Sequence, residues 1–158
     1  MSFGTGHHAT TYLMVEQMST INFEGKTVID FGTGTGVLAI LAEKMRAKHI
    51  LAIDCDDWSI ENTKENIETN GCKSIETIKA FTIPADNKAD IILANINLNI
   101  ITDNIVQITD ACLHETKILF SGIMLHDEAN IVSVLENEGI KVEHIYKKDN
   151  WLAILASA

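Results

Sequence analysis

The chain has 158 residues, of which 46% are hydrophobic, and its formal net charge is −10 at pH 7. This length suits one domain with a buried core, residues 1–158. The negative charge disfavours nonspecific binding to a nucleic-acid backbone, so we expect no direct nucleic-acid partner and a basic protein segment as a more compatible one. No apolar run approaches the roughly 18 to 20 residues of a membrane span, and no signal peptide is recognisable. We therefore expect no membrane partner and a cytoplasmic location.

The cysteines and histidines do not form a metal-binding pattern. Cys55, Cys72 and Cys112 are widely spaced and include no C-x-x-C motif, which is typical of reduced thiols. His7 and His8 are adjacent, so their side chains diverge, and no other histidine or cysteine lies at ligand spacing. The sequence therefore predicts no metal site.

A segment rich in glycine and threonine, F-G-T-G-H-H-A-T-T, occupies Phe3–Thr11. Hydroxyl groups of Thr5, Thr10 and Thr11 can donate hydrogen bonds to a carboxylate, and Gly6 lets the backbone approach a ligand closely. Because the segment precedes the first strand, it can fold over a bound cofactor as a lid that the cofactor orders. The alternative is a disordered N-terminus followed by a helix N-cap, and spacing alone favours neither.

The most informative motif is V-I-D-F-G-T-G-T-G, which begins at Val28 and ends at Gly36. A short apolar run predicts a buried parallel strand, here residues 26–31. Gly32, Gly34 and Gly36 then allow the loop to present bare backbone N–H groups to a ligand at the start of the next helix. The alternative is a left-handed turn between a strand and a helix that binds nothing.

Two carboxylates indicate which ligand this loop binds. A dinucleotide loop has the spacing G-x-G-x-x-G, whereas here the glycines are two apart and Asp30 precedes them. A negative charge at Asp30 would repel a pyrophosphate but attract an ammonium group. Asp54 ends the second predicted strand, residues 49–53, where a carboxylate can accept hydrogen bonds from both hydroxyls of a ribose. S-adenosyl-L-methionine (AdoMet) has an ammonium group, a ribose and a sulfonium, so the motif favours AdoMet over NAD.

A polar residue, Asn95, follows the fourth predicted strand, residues 89–94. The carboxyl end of such a strand is where sheets of this type hold their reactive groups. A neutral amide suits methylation of an amine, because a carboxylate would stabilise the protonated, unreactive ammonium form. Amide and carbonyl oxygens accept the N–H bonds and align the nitrogen lone pair. The alternative is a simple asparagine turn.

The other elements alternate between helices and strands. Helices are predicted at 10–18, from Val37 onward, and at 57–70, 99–113 and 127–137, and strands at 75–81, 117–121, 141–146 and 151–156. The polar turn 147–150 joins the last two strands as a hairpin. The expected α/β fold is the Rossmann-like, seven-stranded sheet of class I AdoMet-dependent methyltransferases, with an antiparallel hairpin at its C-terminal end.

Four motifs, F-G-T-G-H-H-A-T-T, V-I-D-F-G-T-G-T-G, A-I-D-C-D and L-A-N-I, stand in one order and together resemble the PrmA family of ribosomal protein methyltransferases. The resemblance implies AdoMet-dependent N-methylation of lysine side chains and a terminal amine of ribosomal protein eleven of the large subunit. It places Thr11, Gly32, Asp54 and Asn95 at the family's cofactor and active-site positions. Residues 121–123 also resemble the family's stretch after the fifth strand.

One departure from the family concerns the N-terminus. Family members carry a substrate-capturing domain before the catalytic domain, and this sequence starts at the glycine-rich arm, so we expect an excised catalytic domain or a shortened homologue. The predicted loop after the third strand, Ala80–Asp86, is also short. Two other functions stay open: methylation of a small molecule or another protein, and AdoMet binding without catalysis. The sequence gives no indication of the oligomeric state.

Overall fold

The computed structural model of the protein describes residues 8–158, with side chains from Ala9 onward. The helices in this range are α1 (His8–Met18), α2 (Val37–Lys44), α3 (Asp57–Thr69), α4 (Leu98–Asp103), α5 (Ile105–Asp110) and α6 (Glu128–Asn137). The strands are β1 (Thr27–Phe31), β2 (His49–Asp54), β3 (Ile75–Lys79), β4 (Ala89–Asn95), β5 (Cys112–Met124), β6 (Lys141–Lys148) and β7 (Trp151–Ser157). A 3-10 helix, Leu125–Asp127, precedes α6.

The strands form one sheet in the order β3-β2-β1-β4-β5-β7-β6. Strands β1 to β5 pair in parallel, and β7 runs antiparallel to both β5 and β6. The chain thus moves outward from β1 to β3 and then returns to the other side of β1 at β4. This reversal opens a crevice at the carboxyl ends of β1 and β4. The predicted fold, a seven-stranded α/β sheet with an antiparallel C-terminal hairpin, is confirmed.

Helices cover both faces of the sheet, so the central strands are buried on both sides. Side chains alternate along β1, which places Val28 in the apolar cluster with α1 and α2 and Ile29 in the cluster with α4, α5 and α6. Close packing on both faces makes the strands a rigid platform. The loops at their carboxyl ends are therefore held in defined positions.

The helix predicted at 99–113 is wrong as one element. The chain forms α4 and α5, which are separated at Asn104, and β5 already begins at Cys112. The Asn104 side chain donates a hydrogen bond of 2.8 Å to the Ile100 carbonyl, and such local bonding by an asparagine competes with regular helix. Apolar periodicity continues across this break, so the pattern did not reveal it.

The C-terminal hairpin is tighter than the predicted four-residue turn. Strands β6 and β7 extend to Lys148 and Trp151, so only Asp149 and Asn150 form the turn. Both turn residues have positive φ, 50° and 67°, as in the two-residue turns that match strand twist. The Lys148 ammonium lies 4.7 Å from the ring centre of Tyr12 in α1, which joins the hairpin tip to the first helix.

The described residues show neither a membrane-spanning helix nor a cluster of metal ligands. No helix within residues 8–158 is long and apolar enough to cross a membrane. In the same part of the chain, no group of three or more histidine, cysteine, aspartate or glutamate side chains is arranged to hold a metal ion.

Candidate active site

An open cavity of about 220 Å³ lies at the carboxyl ends of β1, β2 and β4. Its walls come from the loop after β1, the residues that end β2 and begin α3, the loop after β3, the end of β4 and the first helix. Five residues singled out in the sequence contact this cavity: Thr11, Gly32, Gly34, Asp54 and Asn95. The structure therefore brings together side chains that are more than 80 positions apart.

The loop after β1 requires glycine because of both its conformation and its neighbours. Gly32, Gly34 and Gly36 all have positive φ, at 78°, 59° and 82°, which L residues rarely adopt. A Cβ added at Gly32 would overlap the side chain of Ile96, and one added at Gly36 would lie 2.8 Å from Cγ2 of Thr63. The loop thus packs directly against the end of β4 and against α3.

The N–H groups of this loop are already hydrogen bonded within the protein. The amides of Gly32 and Thr33 donate to the Ile53 carbonyl at 2.8 and 2.9 Å, and the Gly34 amide donates to Oδ2 of Asp54 at 2.9 Å. The Gly36 amide donates to the Thr33 carbonyl at 2.9 Å. The expectation of bare loop N–H groups is therefore wrong for these four residues. Parallel pairing of β1 with β2 places the Ile53 carbonyl within reach of the turn.

Two residues of α3 that the sequence did not single out hold the same loop from outside. The Thr63 hydroxyl donates a hydrogen bond of 2.9 Å to the Gly34 carbonyl, and the Asn66 amide donates one of 2.8 Å to the Thr35 carbonyl. Thr63 and Asn66 are one helical turn apart, so both face the loop. The sequence did contain a signal for this contact, because two uncharged polar residues three positions apart stand out on a highly charged helix.

Asp54 lies at the end of β2, and its side chain is half-buried at the cavity wall. Besides accepting from Gly34, its carboxylate accepts a hydrogen bond of 3.1 Å from the Asp56 amide through Oδ1. An ionised carboxylate has about four acceptor positions. Asp54 therefore ties two loops together and still has acceptor capacity toward the cavity.

Asp30 occupies a different position from the cavity-lining residues. Its side chain is only 1% exposed, it is not among the residues that line the cavity, and it accepts a hydrogen bond of 2.8 Å from the Thr33 hydroxyl. Burial raises the pKa of Asp30 from 3.8 to about 7, the Asp54 charge adds to this, and hydrogen bonds from Thr33 and the Ala39 amide oppose it. Direct contact between Asp30 and a ligand amine stays a prediction.

Asn95 ends β4 and is paired with Ser121 of β5. The Asn95 side chain is half-buried and faces the cavity. The next residue, Ile96, donates its amide to the Ser121 carbonyl at 3.1 Å and also lines the cavity. The amide group of Asn95 is therefore presented beside the glycine loop, on the opposite wall from Asp54.

Other cavity residues were not anticipated as parts of a site. Phe81 follows β3, two residues beyond the end of the strand at Lys79, and is 79% exposed although it lines the cavity. Val37, the first residue of α2, is 44% exposed at the cavity wall. The thiol-bearing residue Cys55 is also exposed there. These side chains give the cavity an apolar rim.

The predicted arm falls only partly within the described chain. Thr5 and Gly6 lie outside the described residues, so their roles as cofactor-binding residues and the lid stay predictions. Helix α1 begins at His8, two residues before the predicted start, and Thr11 in its first turns lines the cavity. Thr10 is buried.

Comparison with known proteins identifies the family. The sequence model of the family described as ribosomal protein L11 methyltransferase (PrmA) matches residues 1–158. The chain belongs to this family. PrmA relatives include the ribosomal protein L11 methyltransferase of Bacteroides fragilis, 38% identical over 157 residues, which covers 98% of this chain and 56% of that protein. The corresponding protein of Clostridium perfringens is 36% identical and is covered over 50% of its length. The chain thus spans about half the length of the curated relatives it matches.

Solved structures agree with this assignment. A ribosomal protein L11 methylase from Lactobacillus delbrueckii subsp. bulgaricus superposes with a TM-score of 0.92 at 32% identity, which covers 96% of this chain and 79% of the other. A SAM-dependent methyltransferase from Aquifex aeolicus superposes with a TM-score of 0.78 at 20% identity, covering 91% of this chain and 88% of the other, and so shows the shared fold.

Proposed function

We propose that this chain is the catalytic domain of an AdoMet-dependent protein N-methyltransferase, with lysine side chains or a terminal amine of ribosomal protein L11 as methyl acceptors. The domain comprises residues 1–158, acts in the cytoplasm and binds cofactor and acceptor at the cavity between β1, β2 and β4. Membership of the PrmA family and the names of the relatives support this proposal.

The cofactor assignment rests on one observation: the backbone amides of the glycine loop are already hydrogen bonded within the protein. A pyrophosphate is bound by free backbone N–H groups at a glycine turn, but the amides of Gly32, Thr33, Gly34 and Gly36 already have acceptors inside the protein. The loop therefore offers a shaped backbone wall rather than an anion site. AdoMet has no phosphate and fits such a wall better than NAD does.

The residues around the cavity match the chemical groups of AdoMet. Asp54 has spare acceptor capacity for ribose hydroxyls, and Thr11 has a hydroxyl that can donate to the cofactor carboxylate. Phe81 and Ala80 offer apolar surface to a flat ring. Thr5 and Gly6 complete the proposed set from the arm, and Asp30, in its ionised form, favours a cationic ligand.

Asn95 is the residue we assign to the acceptor amine. When bound, AdoMet supplies an electrophilic methyl group on its sulfonium. The Asn95 side-chain oxygen accepts an amine N–H and so orients the nitrogen lone pair, and its neutrality leaves the amine free to lose its proton. Positioning of the amine against the methyl group supplies the rest of the effect.

The substrate assignment rests on charge and on the relatives. A net charge of −10 favours a basic partner, and the relatives are named for ribosomal protein L11. Since the chain spans about half of those relatives, we propose that substrate capture depends on a further domain. Tethered capture raises the effective substrate concentration into the millimolar range for short linkers. Residues 1–158 by themselves should then methylate L11 slowly.

Cofactor binding is tested by calorimetry with AdoMet, its product S-adenosylhomocysteine and NAD. We expect saturable heats with the first two and none with NAD. Saturable NAD binding without an AdoMet signal would refute the cofactor assignment.

Substrate class is tested by transfer of label from methyl-labelled AdoMet to L11, to small amines, or to a reaction lacking an acceptor. Labelled L11 at high concentration supports the proposal, and a fusion carrying a relative's N-terminal portion should label it at low micromolar concentration. Labelling of small amines alone would indicate a small-molecule enzyme. Cofactor binding without transfer to any acceptor would indicate a binding module.

A further inference from the structure

Strand β5 contains an irregularity beside the end of β4. In its antiparallel pairing with β7, Phe120 is opposite Ile154 and Ile123 is opposite Leu152, so β5 has one more residue than β7 between these pairs. The extra residue lies at Ser121 and Gly122, and Gly122 has a φ of 84°. This is a β-bulge, a feature that bends a strand and often re-aims groups next to a site.

The bulge is anchored on its β7 side. Ser121 is fully buried, and its hydroxyl donates a hydrogen bond of 3.1 Å to the Leu152 carbonyl. A bulge interrupts the ladder of backbone hydrogen bonds, and a buried carbonyl left without a donor costs free energy. The serine hydroxyl gives the Leu152 carbonyl a donor, and this bond ties the bulge to β7.

On its other side, the bulge presses against the residue that follows Asn95. The Ser121 carbonyl accepts the Ile96 amide at 3.1 Å. A Cβ added at Gly122 would lie 2.6 Å from the Ile96 carbonyl oxygen and 2.9 Å from its carbonyl carbon, both backbone atoms. Only glycine permits this approach, and a larger residue would displace the backbone next to Asn95.

Ile96 is also confined from the direction of the cavity, because its side chain packs where a Cβ on Gly32 would be. The peptide after Asn95 is thus held between the glycine loop and the bulge. No hydrogen bond to the Asn95 side chain is present among residues 8–158 of the structure. The position from which the Asn95 side chain starts, its Cα–Cβ bond, is therefore set by the backbone that the bulge confines.

We propose that the Ser121–Gly122 bulge is a positioning element for the acceptor site: by clamping the Ile96 backbone it directs the Asn95 amide into the cavity. The inference rests on the proposed function in assigning Asn95 to the acceptor amine. Ser121 and Gly122 are not among the residues that line the cavity, so they act through the end of β4. The loop after β1 contacts the Ile96 side chain but has its own hydrogen bonds to Ile53, Asp54 and α3, so we expect a change at the bulge to affect Asn95 more than cofactor binding.

The test is Gly122→Ala with Gly139→Ala as the matched control. Gly139 has a φ of 76°, and nothing lies within 4 Å of a Cβ placed there, so the control carries the same backbone strain without the contact. Because small displacements of positioned groups cost large factors in rate, we expect kcat for L11 methylation to fall at least about tenfold in Gly122→Ala. Its AdoMet dissociation constant should stay within about threefold of the parent value, and Gly139→Ala should retain both values.

A second measurement does not need turnover. The side-chain amide signals of Asn95, identified by their loss in Asn95→Ala, should shift in the NMR spectrum of Gly122→Ala and not in that of Gly139→Ala. If the parent chain transfers no methyl group, the proposed function fails while these signals still test the positioning. If Gly122→Ala does not fold, Ser121→Ala is the alternative variant, because it removes the hydrogen bond to Leu152 without adding a Cβ. It should also lower kcat while leaving the AdoMet dissociation constant nearly unchanged. Equal kcat in the glycine variants, or parallel loss of kcat and cofactor affinity, would overturn the proposal.

Discussion

The Asp54 carboxylate accepts a hydrogen bond of 2.9 Å from the Gly34 amide, which lies twenty positions earlier in the chain. This bond connects the end of β2 to the glycine loop, so one side chain both shapes the loop and faces the cavity. Removal of the carboxylate should therefore affect binding through two routes. The ribose hydroxyls lose their acceptor, and Gly34 loses its partner.

We predict that Asp54→Ala weakens AdoMet binding by at least about tenfold, since each charge-assisted hydrogen bond contributes roughly 1.5 to 3 kcal/mol. Calorimetry gives the dissociation constants. The matched control is Asp57→Ala, which removes an exposed carboxylate from the start of α3 that pairs with Lys79. An unchanged AdoMet dissociation constant in a folded Asp54→Ala protein would show that Asp54 does not bind the cofactor.

Asp30 should make the stability of the ligand-free protein depend on pH. Its pKa is about 7 in the folded chain and has an ordinary value of 3.8 otherwise. Folding thus takes up a proton between these values, so the contribution of Asp30 to the free energy of unfolding falls as pH rises from about 4 to about 7. Above that window the buried carboxylate is charged and destabilises the fold.

We predict that Asp30→Asn gains stability relative to the parent protein by about 2 kcal/mol between pH 5 and pH 8, because the amide cannot ionise. Urea unfolding at both values measures the difference. Asp103→Asn, at an exposed position in α4, controls for the change in net charge. A constant difference between Asp30→Asn and the parent across this range would show that Asp30 does not titrate there.

The same carboxylate provides a test of contact with the ligand. If Asp30 favours the ammonium group of AdoMet, binding lowers its pKa and releases a proton near pH 6.5. Calorimetry in buffers of different ionisation enthalpy should detect this release in the parent and not in Asp30→Asn. Equal heats in all buffers for both proteins would argue against the predicted contact.

Thr11 should contribute a single hydrogen bond to the cofactor. Thr11→Val keeps the shape of the side chain and removes its hydroxyl, so we predict that AdoMet binding weakens by about 2- to 13-fold. Thr69→Val, at an exposed position in the last turn of α3, is the control. Equal AdoMet dissociation constants in the two variants would show that the Thr11 hydroxyl does not bind the cofactor.

Asn95→Asp should change the pH dependence of methyl transfer. A carboxylate beside the acceptor amine stabilises its ammonium form, so the rate should rise only at higher pH, about one unit above the parent profile. AdoMet is kept saturating for both proteins, so that a change in cofactor affinity does not enter the profile. A pH profile that coincides with the parent's would place the acceptor amine away from Asn95.

Some elements could be predicted because their information is local. The apolar run that forms β1 and the glycines after it indicate a buried strand and a turn wherever they occur, and the helix α3 ended within one residue of its prediction. The break at Asn104 could not be read in this way, because the apolar spacing of α4 and α5 continues across it. The third strand was predicted to run to the cavity residue Phe81, whereas β3 ends at Lys79.

The sequence by itself determined the order of strands and helices, the glycine loop, and the polar residues Asp54 and Asn95 that follow buried strands, because hydrophobic periodicity and strand ends are properties of neighbouring residues. Only the tertiary structure decided that α3 holds the glycine loop through Thr63 and Asn66, that Asp30 is buried, and that Gly122 confines Ile96. The contacts of the glycine loop with α3 and of Gly122 with Ile96 join segments about 25 to 35 positions apart. The raised pKa of Asp30 depends on the low dielectric of its surroundings. A local pattern specifies neither, because both arise only when distant segments pack together.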